Sequence, residues 1–596
     1  MESFRAASVK ALNRSAAVLW WLLCVVLLYA ATAQFAEDLA LPARSVNTVN
    51  ACKNAADAAL ILLPYWLLPG RWRWSILIAL WGMSAIYAID SVYFRFTSEC
   101  MPLTLLSQAA HADSLLLGSI RELLRAEDAL YILWPAIATA AWCIRPIRRI
   151  VTNAHAGAGM RCICIALILA LTARAQMHYT NDYRWLFYYW NGTSMEFMEA
   201  TRIRLIDRTS EFRCSRAASL RQSGVAVYML TELYDTACAL HTPRLSAAKR
   251  NSLEKFVLKK QATDSITTKN IVFIVVESLN AEAIGQRVGH EDVTPVLDSL
   301  LQAQGTISSL QVVPQVRDGI SSDGQLLYNL GLLPLNSGAA SQNALYGKRL
   351  PALAVRLAST HYPIAVFAER GMVWNERDAY LAYGYRRVLT SDSVAAHYGG
   401  MDTLGADDAT LRYALRMAEA SPKPFLMQIL TSSTHYPFRE KAAPDFEGGA
   451  QSGPERDYLR CVRYFDRALG DFINGLRQRG LLENTILIVA SDHHMNMDSG
   501  LTPLNPIVFI AAGSGHSLQV KYPVAQADIF PTVCDLAGVR SGWRGVGFSI
   551  LSEDACGAVD IYGTIHGTPK PERIPHMHRA FAASDSMLRS DFFPEL

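Results

Sequence analysis

Charge is scarce in this 596-residue chain: charged residues make up 18% against 51% hydrophobic ones, too little polarity for a chain that is soluble throughout. What charge there is nearly cancels, with 56 Lys and Arg against 53 Asp and Glu for a formal +3. That balance excludes a protein whose task is to coat nucleic acid. Cysteine is thin as well: 11 residues and no CxxC pair, so neither a small disulfide scaffold nor a structural zinc ribbon is expected. Cys162 and Cys164 stand inside an apolar run and read as small fillers. Cys52 and Cys100 fall on one side of the membrane in the topology below, which permits a disulfide between them. Internal repeats and low-complexity tracts are missing, which excludes a solenoid and wholesale disorder. The length exceeds what one core fills, and more than one domain is expected.

What is present in the first third is apolar sequence. Five runs, 16–36, 55–68, 74–89, 129–144 and 162–173, predict five transmembrane helices; the second and fifth are short of the roughly 20 residues that cross the hydrocarbon and need tilt or flanking residues. The first run is too long, and its end too bulky, for a cleaved signal peptide, so it is expected to remain as an anchor. Arg5, Lys10 and Arg14 precede the first run, Arg71 and Arg73 separate the second from the third, and Arg145, Arg148, Arg149 and Arg161 separate the fourth from the fifth. All three sets share one side, the cytoplasmic one. An odd number of crossings then exports everything after Ala173. The segment 95–128, with Leu115, Leu116, Leu117, Ile120, Leu123 and Leu124, is expected along the outer interface, and the aromatics Tyr183, Trp185, Phe187, Tyr188, Tyr189 and Trp190 suit the headgroup zone. Asn191, Gly192 and Thr193 match a glycosylation sequon, without meaning in a bacterium.

From Asn270 the pattern becomes short apolar runs alternating with helical stretches: 271–276, 308–313, 364–368, 425–430, 485–490 and 507–510. That is an α/β domain with a mostly parallel, buried sheet. Polar residues just beyond the carboxyl ends of such strands meet in a crevice. One strand runs into Glu277, another into Ser491, Asp492, His493 and His494, which together supply oxygen and nitrogen donors to a divalent cation. Each alone reads as a helix cap. Gly319-Ile320-Ser321-Ser322-Asp323-Gly324 leads into Leu326, Leu327, Leu330 and Leu333 at helical spacing, so Ser321 is placed at a helix start, where N–H groups and the dipole favour an alkoxide and an incoming phosphate. Alone, Ser321 reads as an N-cap.

These residues, with Thr294-Pro295-Val296-Leu297-Asp298, the run Thr431-Ser432-Ser433-Thr434-His435-Tyr436-Pro437-Phe438 and Gln526-Ala527-Asp528-Ile529-Phe530-Pro531-Thr532, resemble the sulfatase-like branch of the alkaline phosphatase superfamily. With five preceding helices, the resemblance is to its lipoteichoic acid synthase group. It implies a membrane-anchored phosphotransferase that moves a phosphoglycerol-type headgroup from a phospholipid donor to an extracytoplasmic glycan or glycolipid acceptor. Position by position it implies Ser321 as nucleophile and metal ligand, Glu277, Asp492 and His493 as the other ligands, and His435, Trp374 and Arg377 as headgroup-binding residues. The metal it implies is Mn2+ first, with Mg2+ or Zn2+ as alternatives.

Three departures stand out. Serine replaces the usual threonine nucleophile. Phe367-Ala368-Glu369 stands where Phe-His-Gly is common, and one extra residue separates Trp374 from Arg377. His494 follows the metal histidine where the synthases have tyrosine, as a packing residue or a further ligand. A true sulfatase is argued against because Ser321 is not in a C/S-x-P-x-R sequence. A phosphoethanolamine transferase ranks second, its usual disulfides and post-His glutamate being missing; a hydrolase with water as acceptor and an inert membrane sensor are the remaining alternatives. The expected organisation is a transmembrane domain over 1–176, a partly helical juxtamembrane linker over 177–269, a catalytic domain over 270–555 and an extension over 556–596 that defaults to a loose surface tail. The expected location is the cytoplasmic membrane, multi-pass, with the catalytic domain outside.

Overall fold

The computed structural model describes the chain except residues 1, 40–47, 98, 104, 106–113, 154–157, 192–215, 240–241, 260–262, 439, 441, 447–452, 496–504, 553 and 596; side chains are also left undescribed in 2–14, 48–52, 114–116, 175–191 and at scattered positions, mostly in 216–239. The N-terminal helices are α1 (Glu2–Asp38), α2 (Thr48–Ile61), α3 (Ser75–Thr97), α4 (Ser114–Leu123), α5 (Leu130–Cys143), α6 (Arg145–Asn153) and α7 (Ala158–Asn191). Trp20, Leu28, Phe35, Leu80, Tyr87, Tyr131 and Ile168 form their shared core.

Of the five expected crossings, helix length and composition bear out two or three among the described residues. Among the described residues, Ser15–Asp38 and Ser75–Arg95 are long and apolar enough to cross a membrane, with a third only if the pair Ala126–Cys143 and Arg145–Thr152, bent by 85°, counts as one span. The reasons are local. Helix α2 has 14 residues, about 21 Å at 1.5 Å per residue, and a new short helix starts at Pro64. The fourth segment breaks at Ile144, which is extended with ψ of 109°, and a new helix starts at Arg145 with Pro146 in its first turn, where a proline is tolerated. The fifth segment lies in α7, whose side chains are described only as far as residue 174. The aromatic belt at 183–190 and the sequon at 191–193 therefore fall outside the described side chains. Cys100 is a buried free thiol, and the side chain of Cys52 lies outside the described residues.

The C-terminal half is built on a nine-stranded sheet. Its strands are β1 (Asn270–Val276), β2 (Ile307–Val313), β3 (Tyr362–Phe367), β4 (Arg387–Leu389), β5 (Phe425–Leu430), β6 (Thr485–Ser491), β7 (Ile507–Ala512), β8 (Leu518–Val520) and β9 (Val524–Ala525). The order is β8-β2-β7-β6-β1-β5-β3-β4, with β9 also paired to β2. All pairings are parallel except those of β7, so the sheet is mixed by one strand. Central β1 is buried at every position, which is why it reads as an unbroken apolar run. Ile271, Phe273 and Val275 face one core and Val272, Ile274 and Val276 the other. Helices α9 (Ser321–Leu330), α12 (Ile529–Leu536) and α13 (Ile574–Arg589) cover the first face, and α10 (Asp407–Ala420) and α11 (Pro454–Gln478) the second.

The C-terminal stretch is no loose tail. Met577, Phe581, Met587, Leu588, Phe592 and Phe593 are buried in the first core, and Leu333 N–H donates to Ser584 Oγ at 3.0 Å. Apolar side chains at helical spacing give α13 a face to bury, and the strand-flanking helices leave the groove that takes it.

Between the halves, Arg216 at the start of α8 (Arg216–Ala239) is buried and bonded to Asp318, to Glu232 Oε1 at 3.3 Å and to Ser337 Oγ at 3.1 Å. Asp318 Oδ2 in turn accepts from Gly338 N–H at 2.7 Å. Helix α8 is thus tied to the loop that leads into Ser321. Arg216→Ala strands two buried carboxylates and is expected to cost about 3–5 kcal/mol, read as a lowered melting temperature of the detergent-solubilised protein; an unchanged one contradicts the clamp.

Candidate active site and metal centre

Parallel register brings the site together. Val276 on β1 lies opposite Ser491 on β6, and Val275 opposite Leu430 on β5. The next residues, Glu277, Asp492 and Thr431, therefore emerge side by side at the carboxyl edge of three adjacent strands. Backbone bonds fix them there: Ser278 N–H donates to Asp492 Oδ1 at 2.8 Å, Leu279 N–H to Ser491 Oγ at 2.8 Å and Glu277 N–H to Thr431 Oγ1 at 3.1 Å. Ser278 takes φ of 52° to make the turn.

Ser321 arrives from the opposite side, on the first turn of α9. The preceding Ile320 has φ of 40° and ψ of −108°, strain in a β-branched residue that its surroundings must hold. Asp323 does part of that, its Oδ2 accepting Arg317 N–H at 2.9 Å and Gly319 N–H at 3.0 Å. Gly324 lets the helix close on the β6 end: a Cβ there would stand 2.4 Å from the Asp492 carbonyl oxygen. Gly324→Ala is expected to push α9 off the site, costing about 1–3 kcal/mol of stability and lowering metal occupancy; wild-type melting and metal content would contradict that close approach.

Glu277, Asp492 and His493, 5%, 3% and 4% exposed, each offer one ligand atom within 4.8 Å of the others. His493 Nε2 lies 3.1 Å from Glu277 Oε1 and 3.6 Å from Asp492 Oδ2. Ser321 Oγ is 3.2 Å from the same Nε2 and 3.3 Å from Glu277 Oε2. His493 Nδ1 donates to the His494 carbonyl at 2.9 Å, so Nε2 carries the lone pair that faces the carboxylates when the ring is neutral. Burial alone would raise Glu277, but the His493 imidazolium and His435 beyond it draw its pKa down to about 2. Burial and then the Glu277 charge hold Asp492 well above the usual carboxylate range. Burial disfavours a charged His493, yet Asp492 and Glu277 outweigh it and lift the ring to about 9. Protons here do the neutralising that a divalent cation does better, and two carboxylates, one imidazole and a hydroxyl are a donor set that fits one.

The other expected site residues are spread around this centre. His435 sits in the turn after β5, its Nδ1 donating to Tyr436 O at 2.6 Å, and lies near enough to Glu277 to influence its charge. That turn is held by Asp407, which accepts from Ser432 N–H at 2.8 Å and from the Ser433 hydroxyl. His494 does not join the ligand trio. Trp374 is half-buried and Arg377 exposed, and neither lines the cleft that opens over Ser321. Its walls are Glu277, Ser321, Gln325, Thr431 and Asp492 at the catalytic end, continuing to Phe367, Glu369, Gly371 and Glu376. Sequence reasoning missed Glu369 and Glu376. The signal was the extra residue in Trp374-Asn375-Glu376-Arg377, where Asn375 at φ of 56° starts a helical turn that buries Glu376 and turns Arg377 out.

Residues 269–539 match the Sulfatase family model. Lipoteichoic acid synthase 2 of Bacillus subtilis (strain 168) is 25% identical over 314 residues, 48% of this chain and 48% of that protein, so the chain spans about half the length of the curated relatives it matches. Among solved structures, the lipoteichoic acid synthase LtaP from Listeria monocytogenes aligns with TM-score 0.50 at 19% identity, over 58% of this chain and 98% of that one. The integral membrane phosphoethanolamine transferase EptA from Neisseria meningitidis aligns with TM-score 0.54 at 12% identity, over 88% of this chain and 95% of that one. At these identities the structural likenesses speak to fold. Over residues 269–539 the chain thus resembles the Sulfatase family, and the curated proteins it is similar to there include lipoteichoic acid synthases.

Proposed function

We propose that the protein is a membrane-anchored, metal-dependent phosphotransferase that takes a phospho-headgroup from a phospholipid and passes it, through a covalent Ser321 intermediate, to an extracytoplasmic glycan or glycolipid. The observation that carries this is Ser321 Oγ at 3.2–3.3 Å from His493 and Glu277, at a helix start beside Asp492. Glu277, Asp492, His493 and Ser321 would hold one divalent cation, Mn2+ by resemblance to the synthases, which when bound supplies charge neutralisation at the phosphoryl oxygens and a lowered Ser321 pKa. Ser321 Oγ gives up its proton and attacks phosphorus, the bond to the diacylglycerol oxygen breaks, and that oxygen takes up a proton. The acceptor hydroxyl then loses its proton and attacks, the phosphorus–Oγ bond breaks, and Ser321 Oγ takes a proton back. The α9 N–H groups favour the anionic group at Ser321, and His435 stands where it can bond a nonbridging oxygen.

Membrane contact supports a lipid donor. Ser119 of α4 donates to Tyr436 O at 2.6 Å, in the His435 turn, while Leu117 and Leu124 beside it are exposed. An interfacial helix thus abuts the catalytic turn, which suits a donor whose tails stay in the bilayer. The cation distribution supports multiple crossings with the α/β domain outside, a placement that requires an odd number of them, so that the bent pair Ala126–Cys143 and Arg145–Thr152 counts as one span. Lipoteichoic acid synthase resemblance implies a phosphoglycerol headgroup, with Trp374 and Arg377 at its rim; the Glu369 and Glu376 wall argues for a different one. The test is diacylglycerol release from phospholipid vesicles by the full-length protein, abolished by EDTA and restored by Mn2+. Release that persists in EDTA refutes it.

A further inference from the structure

We infer that the inner wall of the cleft selects an ammonium-bearing phospholipid headgroup of the ethanolamine type, held by the carboxylate of Glu376 with Glu369 beside it. The inference rests on the phosphotransfer reading, which fixes where phosphorus sits: at Ser321, between Glu277 and Asp492. The part of the same cleft that continues past Phe367 to Glu369, Gly371 and Glu376 is then where the rest of the headgroup lies.

Glu376 is 3% exposed and lines that space. Its carboxylate accepts from Trp374 N–H at 3.2 Å, through Oε2, and from its own backbone N–H, and among the described residues no Lys, Arg or His forms an ion pair with it. The adjacent cation, Arg377, is exposed instead. A buried carboxylate without a cationic partner is expensive to ionise. Burial first, then the charges of Glu369 and Glu277, push its pKa up to about 8. An arriving ammonium reverses that balance, supplying Glu376 with a counter-charge through a charge-assisted hydrogen bond. A glycerol headgroup offers only hydroxyls, which do not compensate a second negative end of the cleft. Ammonium and phosphate lie two carbons apart in an ethanolamine phosphodiester, so one zwitterion spans a cation-loaded end and an acidic end of a single cleft. Glu369 is anchored to face it, with Oε1 accepting from Ser432 Oγ at 2.8 Å.

The experiment gives the full-length protein Mn2+ and vesicles containing either phosphatidylethanolamine or phosphatidylglycerol, and measures diacylglycerol release together with the mass of the Ser321 adduct. Wild type is expected to consume phosphatidylethanolamine at least about tenfold faster and to carry an ethanolamine phosphate adduct. Glu376→Gln keeps the shape and the Trp374 bond, and should shift the ethanolamine-to-glycerol rate ratio by about 10- to 100-fold toward glycerol. Preference of the wild type for phosphatidylglycerol overturns the inference, as does an unchanged ratio in a folded Glu376→Gln. If phosphatidylglycerol is consumed only when an amine-bearing acceptor is added, the ammonium belongs to the acceptor and the donor assignment falls. Turnover of neither lipid overturns the phosphotransfer reading itself and takes this inference with it. Should Glu376→Gln fail to fold, the wild-type discrimination and adduct mass decide alone.

Discussion

Ser321→Ala is expected to lower lipid turnover by at least about 10³-fold, the scale on which removing a covalent nucleophile acts. In the proposed mechanism this hydroxyl is the attacking atom, and Ser322, next in the chain, is turned away and donates to Gly319 O at 2.9 Å. Alanine suits the first turn of α9, and Glu277, Asp492 and His493 remain to hold the cation, so the variant should fold and keep most of its Mn2+. Loss of turnover with metal retained separates a nucleophile from a ligand. Turnover within tenfold of wild type would mean that water or another group attacks.

Asp492→Asn is the second large effect. The amide preserves volume and can still accept from Ser278 N–H and His493 N–H, bonds of 2.8 and 2.7 Å to Oδ1 in the native side chain. What it removes is the negative charge opposite Glu277 and the anionic ligand atom. Outer-shell changes alone cost metal sites about 10- to 100-fold in affinity, so loss of a direct anionic ligand is expected to cost at least about 100-fold and to bring turnover down with it. Mn2+ affinity by competition with a fluorescent chelator checks this, and near-wild-type affinity would place the cation elsewhere. The change also relieves the repulsion between neighbouring buried carboxylates, so the metal-free variant is expected to melt no lower than metal-free wild type.

The chemistry of the candidate site was more legible in the sequence than its assembly. Acid, Asp-His and Ser-turn segments after apolar runs are local patterns, and each announced itself. That Glu277 meets Asp492 depends on β1 lying parallel to β6 across more than 200 residues, in the register Val276 opposite Ser491, and no local pattern encodes that pairing. Alternation of strand and helix exposed the α/β class, while the reversal of β7 stayed hidden because a fully buried strand reads alike in either direction. The membrane half was legible as apolar helix but not as a number of crossings: composition marked five runs, while helix length bears out two or three among the described residues, with breaks at Pro64 and just before Pro146. Phe581, Met587 and Leu588 have helical spacing, but the groove that makes α13 part of the core is a tertiary fact. Glu376 was hidden by a one-residue ambiguity, since Trp374-Asn375-Glu376-Arg377 does not reveal which charged side chain turns inward.

The most direct measurement is to quench the full-length protein in acid during turnover of phospholipid vesicles with Mn2+ and locate any headgroup phosphate by peptide mass mapping. The account predicts a phosphodiester on the peptide containing Ser321, absent in EDTA and discharged by acceptor. An unmodified Ser321 peptide while diacylglycerol accumulates, or a phosphate carried on another residue, would contradict it.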